Sequence, residues 1–490
     1  MKLASRQSLL TLASPLAPLL LASCVSVPPV HLPQMDTSAT LRAREAIVVN
    51  QPALTEAQAP SRWWSLFNDS TLSELMSQLD SSLDIQTAAL RIEESRAQLG
   101  LADAPRGPSL SALGGYSRSA ISENSPTHQL GAPTSGQDTW SLGLQAGWEL
   151  DLWGHLRHLS ESAQANLDAS YLGREAVQIS VTADIARTYL LLRGVQAQAS
   201  LVEQNLRIAE ELVQMAESRE KNGVATRFDA ASARADAAAL KAQMSQLHHQ
   251  RDALMNAVAL LLGKPPRELD ERLYFAEIPS MPSRLPIGVP SELARQRPDI
   301  LQAEARLRAA VADIGAAKAD FYPRISLTGA LGVQAFDLSD LGSWGSRHFS
   351  VGPTLYLPIF EGGRLRSQLA LTEARHRLAG VAYQQTVLRA WHEVDNALGA
   401  YTSELERHEH LQLALEQNQI ALSVAQRSYQ EGSADFTTVL LARRNLLASQ
   451  AELSDCATAS ALAVVSLYRA LGGGWSSAWH DEMAMVGVLP

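Results

Sequence analysis

Between residues 139 and 152, apolar and small polar side chains alternate one by one. The apolar members occupy the even positions; they are Trp140, Leu142, Leu144, Ala146, Trp148, Leu150 and Leu152. Serine, glycine, glutamine and acidic residues fill the odd positions between them. Because successive side chains of a β-strand point to opposite faces, this period of two predicts a long strand with one apolar and one polar face.

Three further segments repeat this alternation. We expect strands at about 108–120, 323–336 and 348–360, in addition to the one at 139–152. Strands of about ten residues with an apolar and a small polar face are typical of a transmembrane β-barrel. A soluble β-sandwich, in which the apolar face would be a buried core, is the alternative interpretation.

Four strands are too few to close a barrel. Single-chain barrels begin at about eight strands, and an open edge in lipid leaves backbone groups unpaired. The chain must therefore combine its strands with those of other copies. Two copies would give eight strands and a lumen filled by side chains, whereas three would give twelve and leave room for a channel.

Long helical segments follow the second and the fourth strand. No proline interrupts about 65 residues in each of them, so at ~1.5 Å per residue each helix would extend ~100 Å. A short break and a second, alanine-rich helix follow in both cases. Because small residues let helices pack closely, we expect two antiparallel helical hairpins, at 154–262 and 363–471.

The two halves of the chain also match each other in sequence. Gly154-His155-Leu156-Arg157 aligns with Gly363-Arg364-Leu365-Arg366 at an offset of 209, and upstream Pro108 aligns with Pro323 at an offset of 215. The first copy must therefore carry six extra residues between its strands. The match divides the chain into a first repeat at 65–263, a linker or equatorial segment at 264–289, a second repeat at 290–472 and a C-terminal tail at 473–490.

Composition excludes several classes of function. The 490 residues include 41 basic and 51 acidic side chains, and the net charge of −10 argues against a nucleic-acid partner. The longest uncharged apolar run beyond the N-terminus, Cys456 to Tyr468, has 13 residues and is too short for a transmembrane helix. His248-His249 and the His408/His410 pair lack the spacing of a metal site, so we expect no metal. The carboxylate pairs Glu93-Glu94 and Glu210-Glu211 lie on long predicted helices and are interpreted as solvated faces, so we expect no enzyme.

The N-terminal residues indicate export. Lys2 and Arg6 precede an apolar run that ends in Leu21-Ala22-Ser23-Cys24, which resembles a bacterial lipobox. The resemblance implies a signal peptide at 1–23 and a covalent lipid such as palmitate on Cys24, the first residue of an extended segment at 24–64. An ordinary signal peptide with an incidental cysteine is the alternative. Val25 rather than aspartate follows Cys24, which by the same resemblance favours the outer membrane.

Several motifs together resemble one protein family. Arg297-Pro298-Asp299-Ile300, followed by Ala303-Glu304, looks like a signature of outer-membrane efflux proteins. Phe321-Tyr322-Pro323 and the segment from Pro358 to Arg364 continue it, and Arg62-Trp63-Trp64 matches the opening of the family. Over about residues 60–475 the chain is similar to the TolC-like outer membrane factors, and within them to the OprM/NodT-type lipoproteins.

That resemblance implies an α+β membrane protein that assembles as a homotrimer. Its twelve-stranded barrel in the outer membrane would continue into a long α-helical barrel in the periplasm. The implied function is a passive channel of a tripartite efflux system. Its partners would be a periplasmic adaptor and an inner-membrane pump of the RND type. A type I protein-secretion tunnel and a non-conducting structural lipoprotein are the alternatives.

Two short turns would form the tips of the hairpins. Gly223 and Gly432 suit the positive φ of a tight break between helices, and by resemblance these tips contact the adaptor and line the closed aperture. Asp229 and Asp435 lie just beyond the tips, where threefold symmetry would form rings of carboxylates. First-turn charges that complement the helix dipole are the alternative role for both aspartates.

The second hairpin departs from the family pattern. Thr438 and Leu441 occupy positions that are often acidic in relatives, which puts a gate of aspartates on this hairpin in doubt. Arg234 and Arg443, which the repeat pairs with each other, are candidates for links between helices instead. Arginines that simply face solvent are the alternative.

Overall fold

The computed structural model describes residues 52–55, 57, 59–224, 226–280, 282, 284–288 and 297–473. The predicted signal peptide, Cys24 and nearly all of the predicted C-terminal tail lie outside these residues. None of the helices in the described part of the chain has a stretch that is long and apolar enough to cross a membrane.

Long helices and four long strands dominate the described chain. The helices are α1 (Ser70–Met76), α2 (Leu83–Asp103), α3 (His155–Lys221), α4 (Arg227–Leu261), α5 (Pro298–Ala319), α6 (Arg364–Gln430) and α7 (Phe436–Ala470). The strands are β1 (Ser109–Ser119), β2 (Gln137–Leu150), β3 (Arg324–Ala335) and β4 (Arg347–Tyr356). Helices α3 and α6 each have 67 residues, as the long proline-free runs lead one to expect.

Two strands end earlier than the alternation predicts. Strand β4 ends at Tyr356 rather than at residue 360, because Tyr356 pairs with Arg324, the first residue of β3, and no residue of β3 lies beyond it. Strand β2 ends at Leu150 rather than at residue 152. There Asp151 leaves the sheet, and its carboxylate accepts hydrogen bonds from backbone N–H groups at the start of α3. Leu152 therefore fits the alternating pattern of the sequence but lies outside the strand.

The four strands form one antiparallel sheet in the order β1-β2-β3-β4. Directly opposed residues share a face, so the register places all the apolar even positions of β2 on one side with their partners on the other strands. Serine, glycine, threonine and glutamine predominate on the other side, which also carries Leu113, Glu149, Ala330, His348 and Tyr356. In the single chain the apolar face is exposed, with Leu110 at 72% and Phe349 at 80% of their full accessibility.

The connections at one end of the sheet differ in length. Residues 120–136 join β1 to β2 and include a single helical turn, Pro126–Gln129, whereas residues 336–346 join β3 to β4. The first connection is six residues longer, which equals the change of offset between the two halves of the sequence (215 − 209).

The described residues belong to two compact units. One comprises Ile92–Ser170 and Ala303–Tyr383 and contains the sheet, and the other contains the remaining described residues, including both helical hairpin turns. In the second unit the linker is more than a spacer, because Leu285–Pro286 pairs in parallel with Leu54–Thr55.

The second unit has a large apolar core. Trp63 is almost fully buried and stacks on Tyr468 of α7 with ring centroids 5.4 Å apart. Arg297 of the family motif is also buried, and its guanidinium donates to Asp299 (2.8 Å), to the carbonyl of Ala470 (2.9 Å) and lies 2.7 Å from Glu393 of α6. This motif therefore joins the start of α5 to the middle of α6 and to the C-terminal end of α7.

Candidate functional site at the hairpin turns

The two hairpins turn in the same way. Gly223 has φ +70° and Gly432 has φ +76°, a left-handed conformation that glycine adopts without steric cost. The N–H that follows each glycine reaches a carbonyl in the last turn of the preceding helix, from Val224 to Arg219 and from Ser433 to Ser428, both at 2.9 Å. This bond gives a carbonyl at the C-terminus of the helix a hydrogen-bond donor, and it fixes the direction in which the chain leaves the helix.

The caps of the return helices use the same two residue types in opposite order. In α4 the N-cap is Thr226, and Asp229 completes a capping box: its carboxylate accepts from the Thr226 backbone N–H at 2.9 Å, and its own N–H donates to the threonine hydroxyl at 3.3 Å. In α7 the N-cap is Asp435 and the third helical residue is Thr438. The Asp435 side chain makes no capping hydrogen bond.

The structure thus separates the roles of the two candidate aspartates. Asp229 is engaged at the start of its own helix, which is the local structural role of first-turn charges. The Asp435 carboxylate is not used by its helix. Thr438, which the sequence marks as a departure from an acidic position, is the repeat counterpart of Asp229 (438 − 229 = 209).

Two contacts join the turn of the first hairpin to that of the second. The Arg219 guanidinium donates to the hydroxyl of Tyr429 and lies over its ring, 5.2 Å from the centroid. Within the second hairpin, the Tyr429 ring packs against Phe436 at a centroid distance of 5.6 Å. An open cavity of about 430 Å³ lies between the turns, and both Asp229 and Asp435 are among its lining residues.

The arginines that the repeat pairs have different surroundings. Arg234 donates to Glu217 at 2.8 Å, an ion pair between α3 and α4 within the first hairpin. Arg443 is half-buried in α7, and burial lowers the pKa of its guanidinium, while the nearby Glu211 carboxylate of the first hairpin acts in the opposite direction. Arg234 therefore does link helices, although not the two hairpins.

An ion pair between the hairpins lies one residue further along the chain, and Arg469 of α7 forms another with Asp184 of α3 at 3.4 Å. Arg444 of α7 donates to Asp236 of α4 at 2.8 Å. Neither residue is conspicuous in the repeat, since Arg444 corresponds to Ala235 and Asp236 to Asn445 at the offset of 209. Their opposite charges at positions where the copies differ are the signal that would have indicated a contact between unlike hairpins.

Comparison with known proteins decides the family. The profile described as outer membrane efflux protein matches residues 75–264 and 289–473. The chain belongs to the outer membrane efflux protein family. The two matched ranges of this efflux protein contain the two hairpins and all four long strands. The resemblance drawn from the Arg297-Pro298-Asp299-Ile300 motif is thereby confirmed.

Individual relatives agree over nearly the whole chain. Outer membrane protein OprJ of Pseudomonas aeruginosa is 34% identical over 422 residues, which cover 84% of this chain and 86% of the relative. The solvent efflux pump outer membrane protein SrpC of Pseudomonas putida is 32% identical and covers 94% of this chain and 97% of its own. The solved outer-membrane channel OprN superimposes with a TM-score of 0.82 at 32% identity, over 93% of this chain and 99% of that one.

These similarities confirm the expected location and the expected class of function. This efflux protein is an outer-membrane channel with a mostly helical fold and a sheet, of the TolC-like type. Its four-stranded sheet has the alternation that an outer-membrane barrel requires, and its hairpin turns carry the contacts described above.

Proposed function

We propose that this protein is the outer-membrane duct of a tripartite efflux system, and that it works as a homotrimer with a twelve-stranded barrel. One observation carries the trimer: β1 and β4 are the edges of a sheet whose apolar face is exposed. In lipid, each edge must pair its backbone groups, and three copies supply twelve strands with an open lumen. The small polar side chains of the opposite face would line that lumen.

We also propose an orientation for the channel. Helices α3 and α6 directly follow β2 and β4 in the chain, so with the sheet in the outer membrane we propose that they extend into the periplasm. The hairpin turns at Gly223 and Gly432 would then face the inner membrane. Val224 and Phe228 beside the first turn are exposed to 66% and 68%, which offers apolar surface to a periplasmic adaptor.

The partners and cargo belong to the same proposal. The adaptor would connect the turns to an inner-membrane pump of the RND type, which supplies the energy, since a channel itself makes and breaks no bonds. The name of SrpC refers to solvents, and small organic molecules such as drugs or solvents are the cargo that we propose here. We propose a covalent lipid on Cys24 and no other cofactor. We also propose that residues 65–263 and 290–472 are the two repeats of each protomer.

Deletion of the gene tests this function. We expect hypersensitivity to several antibacterials, dyes or solvents, restored by the wild-type gene. Crosslinking of the purified protein should give trimers, and planar bilayers should show discrete conductance steps. Unchanged sensitivity together with loss of a secreted protein would instead identify a type I secretion tunnel. Silence in the bilayer with unchanged sensitivity would identify a structural lipoprotein.

A further inference from the structure

An apolar groove lies on the exposed face of the sheet, close to the end that carries the β1–β2 and β3–β4 connections. It has a volume of about 430 Å³, and its walls include Leu142 and Leu144 of β2 and Leu331 and Val333 of β3. Arg347, the first residue of β4, lines one part of it. A cation that lines a groove of leucine and valine side chains requires an explanation.

The register shows that Arg347 belongs to this face. It lies opposite Val333, which in turn lies opposite Leu142, and the next row toward the helices is Phe349, Leu331 and Leu144. Because opposed residues share a face and alternate positions along a strand return to it, Arg347 projects on the same side as Phe349. Arg347 and the apolar side chains of the groove therefore lie on the same face of the sheet.

The contacts of Arg347 leave its charge uncompensated. Its Nε donates to the carbonyl of Trp344 at 3.2 Å, and the guanidinium stacks on the indole of that residue. Among the described residues, no carboxylate forms an ion pair with it. Arg118 of β1, at the same end of the same face, differs in this respect because it is paired with Asp138 at 3.2 Å.

Aromatic side chains mark this level of the sheet. One row beyond Arg347 toward the connections, the rings of Tyr116 and Trp140 pack with centroids 4.4 Å apart. Trp344 is exposed to 84%. Tyrosine and tryptophan collect at the boundary between hydrocarbon and head groups. Arg347 is thus placed where a long cationic side chain meets anionic head groups above an apolar surface.

We propose that this groove binds lipid A, the phosphorylated glycolipid of the outer leaflet. An acyl chain lies along the leucine-walled groove, and a lipid A phosphate accepts hydrogen bonds from the Arg347 guanidinium, which is suited to bidentate phosphate binding. The inference rests on the proposed barrel, because only in an outer-membrane channel with periplasmic helices does this end of the sheet face the cell surface. The commitment to an anionic amphiphile comes from the match of an unpaired cation with an apolar groove.

The test uses the full-length protein, purified in detergent and freed of lipopolysaccharide. Bisphosphorylated lipid A is added, and bound lipid is counted by native mass spectrometry while the thermal unfolding temperature is followed. We expect wild-type protein to bind and to be stabilised. Arg347→Gln should weaken binding about tenfold, the effect of losing one charge-assisted hydrogen bond, and Arg347→Lys should be intermediate.

The matched control is Arg118→Gln, which removes the same charge from the same face at an arginine that already has a partner. It should bind lipid A like the wild type. Equal weakening by R118Q and R347Q would overturn the site, as would equal binding of dephosphorylated lipid A or of phosphatidylglycerol.

A channel measurement separates this inference from the proposed function. In phosphatidylcholine bilayers without lipid A, R347Q should conduct like the wild type. Wild-type protein that conducts there but binds no lipid A through Arg347 would refute the lipid site and leave the channel proposal intact.

Discussion

Arg444 of α7 donates from Nη2 to Asp236 Oδ1 of α4 at 2.8 Å, so an ion pair joins the two hairpins across 208 positions of the chain. Both side chains are partly in contact with solvent, so a single pair contributes at most about 1 kcal/mol. In a trimer the pair would recur three times close to the proposed aperture.

Loss of the Arg444–Asp236 ion pair should make the closed channel easier to open. We expect Arg444→Gln to raise the basal conductance in planar bilayers, because one constraint between the hairpins of each protomer is lost. The exchanged pair, D236R with R444D, should return the conductance toward that of the wild type. Arg234→Gln is the matched control, since it breaks a pair within one hairpin. Equal opening by R234Q would show that a link between hairpins is not what matters.

The caps of the return helices should respond differently to mutation. We expect Thr226→Ala and Asp229→Ala to lower stability by about 1 kcal/mol each, because each removes part of a capping box. Asp435→Asn should leave the thermal unfolding temperature unchanged, since that carboxylate makes no capping bond. The measurement is thermal unfolding of the purified protein followed by circular dichroism. A loss in D435N as large as in D229A would contradict the distinction.

Substitution of Arg297 should destabilise the protein much more than substitution of an exposed arginine. Its side chain is 9% exposed and contacts Asp299, Glu393 and the Ala470 carbonyl. Arg297→Met leaves these acceptors without a cation, so we expect a loss of about 3–5 kcal/mol and low yields of folded protein. Arg297→Lys keeps the charge but loses the bidentate guanidinium. Its thermal stability should therefore lie between that of the wild type and that of R297M. Wild-type thermal stability in R297M would refute this role.

Stability should fall at high pH through buried tyrosines. Burial, and then the hydrogen bond to the Asp69 carboxylate, raise the pKa of Tyr189 above its ordinary value of 10.0. The unfolded chain therefore loses this proton first. The stabilisation is complete below about pH 10 and declines above it, by about 1.4 kcal/mol per pH unit until the folded protein also ionises.

Tyr189→Phe isolates this contribution. The variant should lose stability less steeply between pH 10 and pH 11, although burial also raises the pKa of Tyr468, which continues to titrate. The check is the unfolding temperature across this pH range for both proteins. Parallel curves would exclude Tyr189 as a source of the alkaline sensitivity.

Acylation depends on a single residue in our proposal. Cys24→Ser should abolish metabolic labelling with palmitate, because the thiol that would carry the lipid is gone. The second cysteine, Cys456, is buried and provides a control, so Cys456→Ser should still be labelled. Persistent label in C24S would refute the lipobox assignment.

Much of the fold follows from local patterns in the sequence. The period-two alternation around Trp140 located β2, because alternate side chains of a strand point to opposite faces and so give one apolar and one polar face. The ends were less predictable, since β4 ends where its partner β3 begins and Asp151 leaves the sheet to bind the start of α3, while the alternation in sequence continues. At the candidate site, Gly223 and Gly432 were identified by the backbone conformation that a tight turn needs.

The partners of side chains could not be found in this way. Internal symmetry directed attention to Arg234 and Arg443, whereas Arg444 and Asp236 form an ion pair between the hairpins at positions where the two copies differ. A repeat predicts equivalent positions within each copy. It does not predict which position of one copy meets which position of the other, because that depends on how the hairpins pack.

The sequence by itself determined the elements of this protein, its duplication, its family and the need for more than one copy, because these depend on periodicity, spacing and the hydrogen bonding of strand edges. The tertiary structure decided which charges are engaged. In the folded chain Asp229 takes part in a helix cap, whereas the Asp435 carboxylate makes no capping hydrogen bond. Arg347 lines an apolar groove. The reason is physical: a charge acts over a few ångströms, and only the folded chain sets distances between residues that are far apart in sequence.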